Sequence, residues 1–256
     1  MGTESTRMNF PPLMSLGVFL AVLLIVHLFY QGLVLPLSEA AIAAQGAGAT
    51  VNLWVILKDM EQQIVLSLGV FCLILMGYKY YRIVAKEEPV FTFDYLSHLP
   101  KDQPLDVEEA MQTLQSSAHA SNSSIATWIN CLRRYQNTKN VQHAAEAITD
   151  SVESLAAQLE SGNSLIRFFI WAIPSIGFVG TVRGIGAALA QAEQAVNGDI
   201  AGMVDKLGVA FNSTLVSLVV SIILMYMLHL LNNRQDEMVL KTKINCETHL
   251  LTHLHK

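Results

Sequence analysis

The sequence predicts an all-α polytopic membrane protein with four transmembrane helices and a cytoplasmic helical region. Of its 256 residues, 52% are hydrophobic and only 14% are charged, whereas soluble globular domains carry about 25% charged residues. Four separate stretches are long and apolar enough to cross a bilayer, which requires roughly 20 residues of helix. The formal net charge of −5 gives no basic excess, which argues against nucleic acid as a partner.

The four predicted spans are runs of apolar residues that contain almost no charge. The second span ends with Lys79 and Arg82, which can reach the interface along their aliphatic stems, and the third contains Arg183. We interpret the first span as a retained anchor, because its apolar run is longer than the ~7–15 residues of a signal peptide. The spans comprise residues 13–35, 64–84, 168–190 and 207–231.

The distribution of Lys and Arg predicts the orientation of the chain, because basic residues accumulate in cytoplasmic loops. Most of the 16 Lys and Arg lie between the second and third spans or in the C-terminal tail. Lys58 and Lys206 are the basic residues of the other two loops. Both termini are therefore predicted to be cytoplasmic, and the loops 36–63 and 191–206 to lie outside.

These features divide the chain into four predicted regions. They are a two-helix membrane hairpin (1–84) with the extracytoplasmic loop 36–63, a cytoplasmic helical region (85–167), a second membrane helix pair (168–232) and a cytoplasmic tail helix (233–256). Within the second region, apolar residues recur at three- and four-residue spacing from Val141 to Leu159, which predicts an amphipathic helix. Gly162 is the one strong breaker between this helix and the third span.

The third and fourth spans each carry a face of small and hydroxyl-bearing residues. In the third span this face comprises Pro174, Gly177, Thr181, Gly184 and Ala188; in the fourth it comprises Ala210, Thr214, Ser217 and Ser221, with Asn212 and Ser213 adding polarity. Small residues let helices approach closely in lipid, so packing alone explains the glycines. Two matched faces joined by a short loop also predict an inner wall of hydroxyls, suited to a narrow hydrated path.

The predicted spans lack the carboxylates that usually carry protons through membranes. None of the 21 acidic residues falls inside them, although intramembrane relays normally use Asp, Glu or His. We interpret His27 and His229, single imidazoles in the first and fourth spans, as packing or interfacial residues. If ions cross here, we expect the titratable group to come from another polypeptide.

Arg183 is the charged residue of the third span. Inserting an arginine at the centre of a membrane helix costs about 2.5–3.5 kcal/mol on insertion scales. Arg183 lies two positions after Thr181 and therefore points about 200° away from it around the helix. If Thr181 faces the path, Arg183 faces a neighbouring helix or the outer interface, where we expect its charge to matter.

The last two spans resemble the MotA/TolQ/ExbB proton-channel family. The resemblance rests on residues 172–189 (AIPSIGFVGTVRGIGAAL) and 206–226 (KLGVAFNSTLVSLVVSIILMY), within a similar stretch over 140–232. Its specific features are the Pro174–Gly177 turn, the run Gly180-Thr181-Val182-x-Gly184-Ile185, and Ala210 with Thr214. The four-span topology is similar to that of the flagellar-stator branch, whereas the GTVxGI motif is similar to that of the TolQ and ExbB branch.

This resemblance implies a ring-forming subunit of an ion-driven rotary motor in the bacterial inner membrane. It implies a homopentamer around two copies of a single-span MotB/TolR/ExbD-like partner, which supplies an ion-binding Asp, and a possible cytoplasmic effector or rotor. Thr181 and Thr214 match the family's pore-lining threonines. We predict an ion pathway through Thr181, Asn212, Ser213, Thr214, Ser217 and Ser221, and helix or partner contacts through Pro174, Gly177, Gly180, Gly184, Ala188 and Ala210.

The transported ion and two other functional classes remain open. We favour H⁺ over Na⁺ and expect no resident cofactor. The alternative to a motor subunit is a non-conducting scaffold that recruits cytoplasmic proteins through 85–167. An enzyme is not expected, because no nucleophile–base pair or phosphate loop is present. Cys246, His249 and His253 share a helical face that could hold zinc, but an amphipathic tail helix explains them more plainly.

Overall fold

A computed structural model of the chain describes residues 10–45, 49, 52–91, 105–117, 119–251 and 254. These residues are overwhelmingly helical and contain no strand. Four helical stretches are long and apolar enough to cross a membrane: Pro12–Gln45, Met60–Val90, Val141–Leu189 and Ala201–Leu251. The predicted fold class is confirmed, and the chain is a multi-pass helical membrane protein.

The described residues form ten α-helices. Two of the long stretches contain two α-helices each: Pro12–Gln45 joins a pair through a π-helical segment, and Val141–Leu189 joins a pair through Asn163. In chain order the ten helices are α1 (Pro12–Phe29), α2 (Leu35–Gln45), α3 (Leu53–Leu57), α4 (Met60–Arg82), α5 (Val107–Ser116), α6 (Ser123–Thr138), α7 (Val141–Gly162), α8 (Ser164–Leu189), α9 (Ala192–Val196) and α10 (Ala201–Asn245). Three π-helical segments occupy Tyr30–Val34, Ile83–Glu87 and Cys246–Leu251.

The chain divides into two compact units. We call one the membrane unit; it contains Phe10–Met76 and Ser164–Leu228, and therefore α1–α3, α8, α9 and the first parts of α4 and α10. We call the other the loop unit; among described residues it contains those of Gly77–Asn163 and His229–Lys256, and therefore α5–α7 and the last parts of α4 and α10.

The helix that contains the first predicted span, 13–35, does not end near Leu35 but continues to Gln45. Pro36 has no N–H to donate to the carbonyl four residues earlier, and its ring crowds that carbonyl. The backbone widens into the π-turn Tyr30–Val34, where the Leu35 N–H donates to the Tyr30 carbonyl instead. The alanine-rich segment that follows then favours helix, so α2 occupies the start of the predicted loop 36–63.

The third predicted span belongs to α8, which is separated from α7 by a single residue, Asn163. Its backbone N–H donates to the Glu160 and Ser161 carbonyls at the end of α7. The break therefore falls beside Gly162, as the sequence predicts. The fourth span lies within the 45-residue helix α10, which continues without a break through the start of the predicted tail helix at 233.

The loop unit has its own hydrophobic core, formed by α5, α6, α7 and the C-terminal segment. Its fully buried side chains include Leu114, Ile125, Trp128, Leu132, Ile148, Cys131, Cys246 and Leu250. The predicted amphipathic face of α7 is confirmed at Ile148, Val152 and Leu159, which are buried. Asn140 begins this helix by accepting the Gln142 N–H at 2.8 Å.

Asn245 anchors the end of α10 in this core. Its Oδ1 accepts from the Trp128 ring nitrogen at 2.9 Å and from the Ser124 hydroxyl at 3.1 Å, while its Nδ2 donates to the Phe91 carbonyl at 2.8 Å. The next residue, Cys246, is fully buried beside this network. Cys246 thus packs in the loop-unit core. No group of three possible metal ligands occurs in the described ranges, and His253, the third residue of the zinc hypothesis, lies outside them.

Candidate ion pathway

Helices α8 and α10 pack closely in the membrane unit because small residues face each other along their contact. A Cβ added at Gly184 would lie 2.7–2.8 Å from the backbone and Cβ of Ala210. One added at Gly180 would lie 2.6 Å from the Ser213 side chain, and one at Gly177 would overlap the Ser217 hydroxyl. These predicted small-residue positions therefore lie where the two backbones meet. Ala188, on the same face of α8, is also buried.

The hydroxyls of Thr181 and Thr214 contact each other across this helix pair. Thr181 Oγ1 also lies 3.0 Å from the Ala210 carbonyl oxygen and 3.2 Å from that of Gly177, and Thr214 Oγ1 lies 3.4 Å from the latter. Each hydroxyl has one hydrogen to donate and can accept from others. The pair therefore has more acceptors within reach than donors, so the hydroxyls can exchange partners. Both residues are half-buried.

The three serines of the predicted pathway lie inside the α8–α10 contact and bond to backbone carbonyls. Ser213 donates to the Val209 carbonyl at 3.0 Å, Ser217 to that of Thr214 at 2.9 Å, and Ser221 to that of Ile170 at 3.1 Å. All three are buried. Ser221 thus ties α10 to α8, whereas Ser213 and Ser217 bond within α10. Asn212 and Pro174 are half-buried.

Arg183 forms a two-point ion pair with Glu61, at the start of α4. Arg183 Nε lies 2.6 Å from Glu61 Oε1, and Nη2 lies 2.7 Å from Oε2. Paired N–H donors on one carboxylate form the stronger, directional kind of ion pair. The Glu61 side chain is 5% exposed and that of Arg183 is 53% exposed. The arginine side chain thus contacts a neighbouring helix. The sequence predicts either this contact or a position at the outer interface.

Glu61 is the site residue that sequence reasoning missed. The predicted second span starts at Ile64, but α4 starts at Met60 and so includes this carboxylate in its first turn. The signal was available, since an arginine in an apolar helix requires a counter-charge. Glu61 is one of the acidic residues near the end of a span that could have provided it.

The fold and the site together define a class of protein. It is a multi-pass helical membrane protein in which hydroxyls are paired between two close-packed spans. Residues 120–244 match the model of the MotA/TolQ/ExbB proton channel family. The matched stretch includes Thr181 and Thr214, and the resemblance seen in the sequence is confirmed over these residues. Comparisons with curated proteins and with solved structures gave no significant match.

Proposed function

We propose that this chain is the ring-forming channel subunit of a rotary motor driven by the ion-motive force. It conducts H⁺, with Na⁺ as the second candidate, at the interface with a single-span MotB/TolR/ExbD-like partner that supplies the ion-binding Asp. The observation that carries this proposal is the contact between the Thr181 and Thr214 hydroxyls, within the region that matches a proton channel family.

The proposed assembly is a homopentamer around two copies of the partner in a bacterial inner membrane, with both termini cytoplasmic. Large apolar side chains on α8 and α10 support an environment of lipid and neighbouring helices. Trp171 is 80% exposed on α8, and Phe211 is 67% exposed on α10. Exposed apolar surface of this kind is stable in water only when another molecule covers it.

In this mechanism the threonine pair acts as a switchable set of hydrogen bonds. When the partner's Asp is ionised, the hydroxyls donate to its carboxylate; when it is protonated, they return to the carbonyls of Gly177 and Ala210. The exchange costs little because the two hydroxyls and two carbonyls already lie within 3.4 Å of their alternatives. Each charge that crosses releases about 2.3 kcal/mol per 100 mV, enough to drive a packing rearrangement.

The proposal is tested by purifying the tagged chain from its native membrane with whatever binds to it, and reconstituting the product in liposomes. We expect a co-purifying single-span protein and a proton flux that a trapped pH-sensitive dye records. Thr214→Val should abolish this flux, because valine keeps the shape but removes the hydroxyl. Thr149→Val is the matched control, since Thr149 is exposed on α7 in the loop unit.

The same liposomes identify the ion. Flux that persists without sodium and collapses with a protonophore assigns H⁺, whereas flux that requires a sodium gradient assigns Na⁺. Wild-type flux in Thr214→Val, or the absence of any bound single-span protein, would contradict the proposal.

A non-conducting scaffold is the alternative that one observation supports. The loop unit contains most of residues 85–167 and has a buried core of its own, as a docking platform for cytoplasmic proteins would. A chain that carries no ion flux but co-purifies with soluble proteins, and loses them when the exposed surface of α6 or α7 is changed, would favour this function.

A further inference from the structure

The membrane unit contains a cluster of charged residues where α4 and α10 begin. Three carboxylates and three cations share this region: Asp59, Glu61 and Asp205 with Lys58, Arg183 and Lys206. Glu61 pairs with Arg183, and Asp205 pairs with Lys58 at 3.5 Å and with Lys206 at 3.1 Å. All three cations therefore form their ion pairs with two of the carboxylates, Glu61 and Asp205. Asp59 is the one carboxylate of the cluster without an ion pair within the described part of the chain.

Asp59, Tyr30 and Gln62 of the membrane unit each have a buried polar atom without a hydrogen-bond partner among the described residues. Tyr30 and Gln62 are each 1% exposed, yet Tyr30 Oη, Gln62 Oε1 and Asp59 Oδ2 are buried without a hydrogen-bond partner among the described residues. The charge of Asp59 acts on the Tyr30 hydroxyl. Buried polar atoms nearly always have a partner, and where the protein provides none the partner is water or an ion.

The electrostatics of Asp59 suit a carboxyl that exchanges a cation. Burial raises the pKa of Asp59, and the positive charges of Lys58 and Arg183 oppose the rise, while Glu61 and Asp205 add to it. A carboxyl with a raised pKa takes up H⁺ more readily than an exposed one. Carboxylate, phenol and amide oxygens, such as those of Asp59, Tyr30 and Gln62, are also the kind of ligand that hard cations such as Na⁺ prefer.

A polar connection leads from this cluster toward the threonine pair. Gln62 Nε2 lies 3.5 Å from the hydroxyl oxygen of Ser213, which precedes Thr214 in α10. The other polar atom of the same amide, Oε1, is buried without a hydrogen-bond partner among the described residues. Gln62, which directly follows Glu61 of the charged cluster, therefore contacts the hydroxyl-bearing helix pair.

We propose that Asp59 is a cation-entry site of this chain, which binds the transported H⁺ or Na⁺ and delivers it past Gln62 to the Thr181–Thr214 pair. Glu61 and Arg183 pair with each other, and Asp59 keeps its carboxylate outside that ion pair. This inference rests on the proposed channel function and adds a titratable group from this chain to the one that the partner supplies. No covalent step is involved, since the site only binds and releases a cation.

The first test uses the full chain alone in nanodiscs and does not depend on a partner. Dicyclohexylcarbodiimide reacts with protonated carboxyls in apolar surroundings, and mass spectrometry locates the product. We expect Asp59 to be labelled severalfold more than the exposed Glu39 at neutral pH, with labelling that falls as the pH rises and disappears in Asp59→Asn. Protection by sodium chloride but not by choline chloride would identify Na⁺ as a ligand, and absence of such protection would identify H⁺. Labelling of Asp59 no greater than that of Glu39 at every pH would overturn the inference.

The second test uses the reconstituted complex with its co-purified partner. Asp59→Asn should lower the flux severalfold, Asp59→Glu should retain more of it, and Glu39→Gln should conduct as the unchanged chain does. Normal flux in Asp59→Asn would overturn this inference and leave the proposed function intact, provided that Thr214→Val is inactive. Absence of flux in the unchanged complex would overturn both.

Discussion

Gly184 allows α8 and α10 to touch at Ala210. Any side chain at this position would meet the α10 backbone at less than the closest normal contact of a Cβ, and a helix backbone cannot move as a flexible side chain can. The hydroxyl pair one turn away in each helix, Thr181 and Thr214, depends on this approach, because a larger separation would pull the two oxygens apart.

Gly184→Ala should therefore lower the free energy of unfolding by about 1–3 kcal/mol, the usual cost of overpacking. The measurement is a denaturation midpoint in detergent, recorded by circular dichroism. Gly186→Ala is the matched control, since an added Cβ there meets nothing within 4 Å and alanine favours helix over glycine. Equal stability of the two variants would show that the α8–α10 contact is looser than described.

The pair of Arg183 and Glu61 makes a second prediction at the residue scale. Arg183→Leu leaves a buried carboxylate without its cation, and should lower the free energy of unfolding by about 1–3 kcal/mol. Arg183→Lys should lose less, because one of the two hydrogen bonds can persist. Adding Glu61→Gln to Arg183→Leu should recover most of the loss, since no buried charge then remains.

This double-mutant cycle separates the pair from the effects of either side chain alone. If Arg183→Leu is as stable as the unchanged chain, the ion pair contributes nothing and the arginine has another role. If the double variant is no better than the single one, the loss comes from the packing of the arginine stem.

At the scale of helices, Asn163 is the residue that joins α7 to α8. In the loop unit its Nδ2 donates to Gln235 Oε1 at 2.7 Å and to Asn232 Oδ1 at 2.9 Å, and its Oδ1 accepts from Lys79 Nζ at 3.0 Å. Lys79 Nζ also donates to the Gly162 carbonyl at 2.8 Å, at the end of α7. A cation at a helix C-terminus is favourable, so one buried network satisfies the polar groups that the helix break creates.

Asn163→Ala should lower the free energy of unfolding by about 1–3 kcal/mol, because the buried Gln235 and Lys79 and the half-buried Asn232 each lose a partner. The matched control is Asn233→Ala, since Asn233 is an exposed residue of the same helix as Asn232. Thermal unfolding of the two variants in detergent provides the comparison. A Tm in Asn163→Ala equal to that of the control would contradict the role of this network.

The packing of α6 against the C-terminal segment predicts the reactivity of the cysteines. Cys131 and Cys246 are fully buried in the loop-unit core, and burial raises the pKa of Cys131 to about 12. The thiol is therefore protonated at neutral pH, whereas the nucleophile toward alkylating reagents is the thiolate. Iodoacetamide should modify both residues in the denatured chain and neither in the folded one, as mass spectrometry can show.

The pH dependence of stability follows from the same shift. An unfolded chain ionises this thiol near its ordinary pKa of about 8.5, while the folded one keeps its proton to about 12. The contribution of Cys131 to stability is therefore complete below the lower value and is lost progressively as the pH rises toward the higher one. Cys131→Ala should make the unfolding midpoint less sensitive to alkaline pH; rapid alkylation of the native chain would contradict this burial.

At the scale of the whole molecule, the features predicted from sequence are those that one segment determines by itself. Hydropathy located the four spans, because each apolar run must be covered by lipid or protein wherever it lies. Spacing along single helices placed Thr181 and Thr214 on faces of small residues, and those faces do meet. The buried face of α7 was predictable for the same reason.

The features that sequence did not reveal depend on residues far apart in the chain. Glu61 is 122 positions from Arg183, and no local pattern connects them. The helix ends differ from the ends of the predicted spans because hydropathy measures which residues avoid water, whereas a helix ends where its hydrogen bonds end. The segment Leu35–Gln45 is less apolar than the span before it, yet its alanines keep it helical.

The Arg183–Glu61 pair also has a consequence for how the protein is made. Synthesis proceeds from the N-terminus, so the carboxylate of Glu61 enters the membrane with α4 well before the ribosome reaches α8. The third apolar helix can then leave the translocon with its arginine already matched by an opposite charge, which offsets the expense of inserting it. A chain that lacked α4 would have to integrate α8 without this opposite charge.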